Sequence, residues 1–254
     1  MMLLIDQGNS NIRWAVRDAD SWTTGEGMGF VDSVVAKPGR VLISSVAGDE
    51  RRLELQSWLK STWNIVPEWL EAKPSQLGVY NCYDEPGRLG VDRWLAVIAA
   101  YHLSTGAVLV VDAGTALTVD AVDKDGKMLG GAIFPGPGLI AASLGRGTGR
   151  IGEVVLNLTT KDNGPESSTS LAVSAGVAVG YPAAAIALVL YYWQRLPKNS
   201  PVWVTGGGGI SLMEEFSGQA KTDPTCAIAD IIERMTYQPD LVLKGLEMAA
   251  GEPR

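Results

Sequence analysis

Several things are scarce in this chain of 254 residues, and each scarcity removes a class of chemistry. Two cysteines, Cys82 and Cys226, are too few for a disulfide scaffold or a cysteine-rich zinc site, and they read as ordinary free thiols. A single histidine, His102, leaves no His-rich metal site, and a catalytic triad would have to rest on that one residue. Positive charge is in deficit as well: 21 Lys and Arg against 28 Asp and Glu give a net charge of −7. General affinity for nucleic acid or anionic lipid is thereby disfavoured, since phosphate contacts need Lys and Arg. Eight Trp without an adjoining basic patch fit strand and interface packing better than a nucleic-acid stacking platform. The stretch from Met1 to Gln7 is apolar, contains an Asp and has no basic region, unlike a signal or transit peptide. A cytoplasmic address with reduced thiols is the expectation.

Apolar residues and glycine, by contrast, are plentiful. At 46% hydrophobic the chain has ample core material and is not disordered. The 30 glycines are about 12% of the residues, against a usual value near 7%. One long uncharged stretch, Leu171 to Trp193, could span a bilayer by length alone. It contains Ser174, Gly176, Gly180 and Pro182, and no basic cluster flanks it, so a core or subunit-interface helix is the better reading.

Along the chain, strands and helices alternate. Met2 to Ile5 is a compact apolar strand running into Asp6; after a turn, Ile12, Trp14 and Val16 alternate with Asn11, Arg13 and Ala15 as in a strand with one buried face. Val41 to Val46 reads as a strand. Asp49 to Trp63 reads as an amphipathic helix, with Leu53, Leu59 and Trp63 among its apolar positions. Asp92 stands where an N-cap would, before a helical run from Trp94 to Leu103. His102 follows the apolar face of that run and reads as packed or capping.

The pattern then restarts. Ala107 to Val111 is an apolar strand running into Asp112, followed by Gly114, Thr115 and the alternation Leu117, Val119, Ala121. Asp125-Gly126 supplies a hairpin turn before Met128 to Phe134. The unit strand–Asp–x–Gly–[Asn or Thr]–turn–strand thus occurs at Asp6 and again 106 residues later at Asp112, which points to a duplicated fold divided near Ser104 to Gly106. Later, the strand Pro201 to Thr205 feeds four glycines, Gly206 to Gly209, and a helix from about Ile210.

A strand that ends in Asp and turns through Gly presents two tools at one point. The carboxylate can hold a hard cation such as Mg²⁺, and backbone N–H groups can converge on an anion that glycine lets approach. In Asp6-Gln7-Gly8-Asn9-Ser10-Asn11 the small polar side chains add donors, and Arg13 could reach back towards a phosphate. The plainer reading of Gly8-Asn9 is a hairpin turn.

These turns resemble the two phosphate loops and, at Thr205-Gly206-Gly207, the adenosine loop of the sugar-kinase/actin-like superfamily. Leu89-Gly90-Val91-Asp92-Arg93-Trp94 is similar to the Gly-x-Asp-Arg motif of type III pantothenate kinases. Gly130-Gly131-Ala132-Ile133-Phe134-Pro135-Gly136 resembles that family's Gly-Gly-x-Ile-x-Pro-Gly segment. Thr169-Ser170-Leu171-Ala172 with Gly176 resembles its Thr-x-x-Ala-x-x-x-Gly helix start. Pro239-Asp240-Leu241-Val242 with Gly245-Leu246 is similar to its closing segment, so the resemblance runs in order through the whole chain.

The resemblance implies an α/β fold of two duplicated actin-like (ribonuclease H-like) lobes, each a mixed β-sheet with helices. The lobes would be 1–105, with the first phosphate loop and the catalytic Asp, and 106–254, with the second phosphate loop and the adenosine loop. It implies ATP-dependent phosphorylation of pantothenate, with Asp92 as base; the plain alternative for Asp92 is an N-cap. Tyr83, Gly90, Val91, Asp92, Arg93 and Thr169 would bind the substrate. Tyr80 is a near neighbour of Tyr83, Arg93 has the alternative of a surface helix residue, and Thr169 that of an N-cap. Asp6, Gln7, Gly8, Asn9, Ser10, Asn11, Ile12, Arg13, Thr115, Gly206 and Gly207 would bind ATP. Asp6 would handle Mg²⁺ through the phosphates, and Asp112 matches the ligand of a monovalent cation, K⁺ or NH₄⁺. A homodimer with the active site near its interface is implied, which would give Leu171 to Trp193 a soluble role. Ser10 and Arg13 replace the family's commoner Thr and Lys; Arg and Lys are not equivalent where a point charge meets a phosphate. Competing readings are a non-catalytic nucleotide-binding regulator of the same fold, which an intact Asp92, Arg93 and Thr169 count against, and a kinase for another small hydroxy acid or sugar.

Overall fold

The computed structural model describes residues 1–29, 37–104, 106–158, 166–222 and 227–251; Cys226 lies outside them. The chain forms two compact units. The first comprises Met1–Gly106, Val122–Leu129 and the segment from Asp240 onward; the second comprises Ala107–Ala121 and Gly130–Pro239.

In the first unit, β1 (Met2–Gln7), β2 (Ile12–Asp18), β3 (Ser21–Glu26), β4 (Arg40–Ser45) and β5 (Glu68–Trp69) make one sheet in the order β3-β2-β1-β4-β5. The β1–β2 and β2–β3 pairs are antiparallel hairpins, and β1–β4 and β4–β5 are parallel. Helix α1 (Asp49–Trp63) covers one face: its Leu55 and Leu59 pack with Leu3, Ile5, Trp14, Val41 and Ile43. Each such side chain contributes about 1.5–3 kcal/mol on burial. Leu53, expected on the buried stripe of α1, is 63% exposed, and Leu55 takes its place. Leu55, Leu59 and Trp63 follow one another at i, i+4 and i+8 and share a face, whereas Leu53 lies about 120° round the helix from Leu59, so the face that meets the sheet carries Leu55.

Short strands β6 (Ser75–Gln76) and β7 (Val79–Tyr80) form a small ribbon before helix α2 (Val91–Leu103). Every residue of α2 from Trp94 to Ala100 is buried, so this helix is enclosed on all sides rather than striped. His102, in its last turn, is exposed and its Nε2 lies 2.7 Å from the Leu77 carbonyl oxygen.

The second unit repeats the pattern with β8 (Val108–Ala113), β9 (Ala116–Val122), β10 (Met128–Pro135), β11 (Val202–Thr205) and β12 (Met235–Tyr237). Their order, β10-β9-β8-β11-β12, follows the first sheet strand for strand. Asp6 is the penultimate residue of β1 and pairs in register with Ser44 of β4; Asp112 is the penultimate residue of β8 and pairs with Thr205 of β11. Helices α3 (Pro137–Gly147), α4 (Thr169–Trp193), α5 (Gly209–Thr222) and α6 (Ala227–Ile232) complete the unit. Ala185, Val189 and Trp193 of α4 and Leu212 and Phe216 of α5 pack with Leu109, Val111, Val202 and Val204 of the sheet. The α4 helix continues through Pro182 to Trp193.

Two segments expected in the second lobe pack with the first unit. The turn at Gly126 is tied to the β7 ribbon by the Tyr80 N–H, 2.8 Å from the Gly126 carbonyl. Helix α7 (Leu241–Ala250) packs on α2. A Cβ at Gly245 would sit 2.6 Å from the Leu95 carbonyl carbon, so glycine at this position is what lets these two backbones meet.

Candidate active site

The two Asp-turns are built differently although their strands correspond. In the first, four residues, Gly8 to Asn11, join β1 to β2, closed by the Gly8 N–H donating to the Asn11 carbonyl at 3.0 Å. The turn is therefore a true hairpin. Asp6 and Arg13 face each other across the β1–β2 ladder. Arg13 also pairs with Glu26, Nε to Oε1 at 3.2 Å, so its charge is already engaged within the sheet. Gln7, expected among the nucleotide residues, is 1% exposed. Its side chain does structural work: Oε1 accepts from Ser45 Oγ at 2.9 Å, and Nε2 donates to the Arg51 carbonyl at 3.0 Å. Asn9, Ser10 and Asn11 are exposed at the tip, with Ile12 half-buried behind them.

The second turn needs only Gly114 and Thr115 between β8 and β9, and backbone contact holds it. The Gly208 N–H donates to the Ala113 carbonyl at 2.8 Å. Gly206 has φ +84°, and a Cβ there would overlap the Asp112 carboxylate and lie 2.6 Å from the Ala113 carbonyl oxygen. No other residue type meets both conditions without strain. Gly136 is pressed in the same way: its N–H donates to the Thr115 carbonyl at 3.1 Å, and a Cβ would lie 2.8 Å from the Gly114 carbonyl oxygen. Glycines distant in sequence thus converge on one turn. Burial, followed by the Asp112 charge, pushes the Tyr181 hydroxyl up to about 12, which places this α4 residue in the electrostatic field of Asp112.

Asp92 occupies the second position of α2, and Gly90 is the N-cap residue. Asp92 is therefore not the N-cap expected of it: it sits two residues beyond the cap, and its Oδ1 accepts the Arg93 N–H at 2.8 Å. The carboxylate folds back over Gly90, where a Cβ would lie 2.6 Å from Oδ1 and 3.8 Å from Val46 Cγ1. Glycine is what allows Asp92 to lie against the helix start beside the end of β4. Burial raises the Asp92 carboxyl above its ordinary range; the Arg93 N–H and the Arg93 charge offset part of this.

Arg93 is buried, not a surface residue, with 6% exposure. Its Nη1 donates to the Tyr83 hydroxyl at 3.0 Å, and its guanidinium carbon is 5.9 Å from that ring's centroid. Asn81 holds the Tyr83 segment: its Oδ1 accepts the Tyr83 N–H at 3.0 Å, and its Nδ2 donates to the Lys73 and Pro86 carbonyls. Tyr80, the alternative contact, is 50% exposed and its backbone is tied to the Gly126 turn.

Thr169 is the first residue of α4 and is exposed; the cap is Ser168, whose side chain accepts the Leu171 N–H at 3.2 Å. With the capping task taken, the Thr169 hydroxyl has no need to serve the helix. Helix α5, which begins beside Gly206 to Gly208, lines with Tyr237 a groove of about 480 Å³, walled by Ile210, Met213, Glu214, Ser217 and Lys221. Sequence reading missed Arg51, Ser168 and Tyr181. Ser168 sits in a Ser-Ser-Thr-Ser string in which each member suits an N-cap, and the other two carry no periodic signal.

Two five-stranded sheets of identical order, each with an Asp at the end of its first strand, define the actin-like fold of sugar kinases. A Campylobacter jejuni protein assigned to the Baf family of transcriptional activators superposes with a TM-score of 0.52 at 23% identity, covering 96% of this chain and 95% of that one. A Sinorhizobium meliloti protein assigned as a 2-dehydro-3-deoxygalactonokinase gives a TM-score of 0.50 at 14% identity over 98% of each chain. These likenesses speak to the fold. The sequence pattern of the type III pantothenate kinases matches residues 2–190. The type III pantothenate kinase of Halorhodospira halophila is 36% identical over 262 residues, covering 97% of this chain and 96% of that protein. The chain belongs to the type III pantothenate kinase family.

Proposed function

We propose that this chain transfers the γ-phosphoryl group of ATP to the primary hydroxyl of pantothenate, forming 4′-phosphopantothenate, the first step towards coenzyme A. The observation that carries the residue roles is the Asp92–Arg93–Tyr83 arrangement: a half-buried carboxylate next to a buried guanidinium that a tyrosine hydroxyl holds in place.

Phosphoryl transfer asks a protein mainly for positioning and for charge stabilisation. Asp92 orients the attacking hydroxyl and takes its proton as the new P–O bond forms. Its burial increases its proton affinity, which suits a base. Arg93 and Tyr83 bind pantothenate's polar end together with Gly90, Val91 and the exposed Thr169 hydroxyl. Asp6, Gly8 to Arg13, Thr115, Gly206 and Gly207 bind ATP, with Gln7 shaping the turn from behind. The α5 groove has the size and the apolar wall for the nucleoside portion.

Among the described residues, no group of three or more His, Cys, Asp or Glu converges to hold a metal ion. That donor set fits a Mg²⁺ carried by the triphosphate, with Asp6 as a single protein carboxylate, better than a protein cage. The oxygens of Asp112 and its neighbouring carbonyls are of the kind K⁺ or NH₄⁺ takes. These cations, when bound, neutralise phosphate charge.

A second copy of the chain covers part of α4. This helix is 25 residues long, and its most apolar 18-residue window has a mean hydropathy of 2.0, yet only 33% of that window is buried. Exposed Val179 and Tyr191 on it, at 68% and 53%, need a dry partner. A homodimer of a cytoplasmic enzyme satisfies this without a membrane. ATP consumption measured with pantothenate, with and without K⁺, tests the whole reading; no turnover in either condition would sink it.

A further inference from the structure

Arg51 occupies an electrostatically awkward place. It is the third residue of α1, in a first turn that otherwise carries Asp49 and Glu50, where the helix dipole disfavours a cation. Its guanidinium does not lie along the helix. Nη1 donates to the Gly8 carbonyl at 3.2 Å and to the Asn9 carbonyl at 2.5 Å, so one nitrogen gathers two consecutive carbonyls of the first Asp-turn. The Arg51 carbonyl is in turn bound by the buried Gln7 amide, which Ser45 Oγ holds from the other side. The Val46 N–H closes the frame on the Gln7 carbonyl at 3.2 Å.

Planarity turns this into a statement about anion binding. In a trans peptide the C=O of one residue and the N–H of the next point in opposite directions. Holding the Gly8 and Asn9 carbonyls at the guanidinium therefore turns the Asn9 and Ser10 N–H groups to the other side. It also removes two carbonyl dipoles that would repel a phosphate and adds a positive charge behind the turn. The second Asp-turn has no need of this device. It is two residues shorter, and the Gly206 and Gly208 backbone packs directly on it.

We infer that Arg51 is a positioning residue for the first nucleotide turn, setting the direction of the Asn9 and Ser10 N–H groups towards the ATP phosphates. This rests on the reading of Asp6 to Arg13 as a phosphate turn. Arg51→Ala raises KM for ATP about tenfold or more, leaves KM for pantothenate within about twofold, and is largely rescued by Arg51→Lys, which keeps a cation with several donors.

The test combines these kinetics with amide chemical shifts of Asn9 and Ser10 during an ADP–Mg²⁺ titration of the wild-type enzyme. If those amides move and Arg51→Ala leaves KM for ATP unchanged, the role of Arg51 is overturned while the turn keeps its function. If the amides do not move, the phosphate-turn reading fails and takes the inference with it. An equal rise in both KM values, or no rescue by lysine, marks a merely structural residue and also overturns it. Should Arg51→Ala not fold, Arg51→Lys and Arg51→Gln decide: weaker ATP binding in Gln than in Lys supports the role, and equal affinity overturns it.

Discussion

The Arg93 guanidinium, 6% exposed, donates to the Tyr83 hydroxyl at 3.0 Å, so a buried cation depends on a tyrosine ten residues earlier for its orientation. A hydrogen bond to a charged group contributes about 1.5–3 kcal/mol. Tyr83→Phe removes only that oxygen and is expected to raise KM for pantothenate about tenfold, with KM for ATP unchanged. Tyr80→Phe, at an exposed site, leaves both values alone. Steady-state kinetics with each substrate varied in turn distinguish the two tyrosines.

Asp92→Asn keeps the shape and the acceptor for the Arg93 N–H but cannot take a proton. The expected loss in kcat is about 10²- to 10⁴-fold. Stability moves the other way. Burial raises the carboxyl in the folded state, so the folded protein binds its proton more tightly than the unfolded chain. Stability therefore falls as pH rises from the ordinary Asp value of about 3.9 through the raised one, and the full penalty is present above it. The variant is accordingly more thermostable than the wild type at neutral pH, and the difference closes as pH drops below that window. Thermal unfolding across pH measures this; equal melting temperatures at neutral pH would remove the burial argument.

Two glycines separate site from scaffold. Gly206→Ala introduces a left-handed residue, at φ +84°, whose Cβ overlaps Asp112, and both ATP binding and stability are expected to suffer. Gly245→Ala wedges α7 away from Leu95, with a destabilisation of about 1–3 kcal/mol. Where enough Gly245→Ala protein remains folded, its KM values match the wild type. Denaturant titration alongside kinetics checks the contrast.

Ser168 and Thr169 are adjacent and differ in task. Ser168→Ala loses the cap of α4 and about 1 kcal/mol, with KM for pantothenate intact. Thr169→Ala leaves stability alone and raises that KM. A reversed outcome would return Thr169 to a structural role.

Val179→Glu places a charge on the exposed apolar side of α4, where the residue is 68% exposed. The folded chain tolerates it, and light scattering after gel filtration shows a monomer in place of a dimer. A dimer that persists at low micromolar concentration argues that this face is not the interface.

Local pattern was legible wherever one residue's chemistry decides. The α1 helix begins and ends at Asp49 and Trp63 as the sequence indicates, and the Asp-x-Gly unit repeated after 106 residues points to a duplicated fold, which the two sheets of the same strand order bear out. The Gly-x-Asp-Arg motif points to Asp92 and Arg93 from sequence, whereas Tyr83 follows only from the wider resemblance, with Tyr80 as its near alternative. Which face of α1 would be buried was not legible: the i, i+4 spacing groups Leu55 with Leu59 and leaves Leu53 on another face, but only the facing sheet selects between the faces. The same holds for Arg93, whose burial depends on Tyr83 and on what encloses α2 rather than on its own neighbours in sequence.

The sequence alone determined where the chain turns, since Gly, Asp and alternating apolar residues act over a few bonds. Tertiary structure decided what each turn leans on. Gly206 is pressed to Asp112 across 94 positions, α7 returns over more than 130 to meet α2 at Gly245, and Arg51 reaches back to Gly8 and Asn9. Such contacts join residues whose local preferences carry no trace of one another, because steric overlap and hydrogen bonding act through space. Part of the glycine surplus is their visible sign: Gly126, Gly136, Gly145, Gly206 and Gly245 mark places where two backbones come closer than a side chain allows.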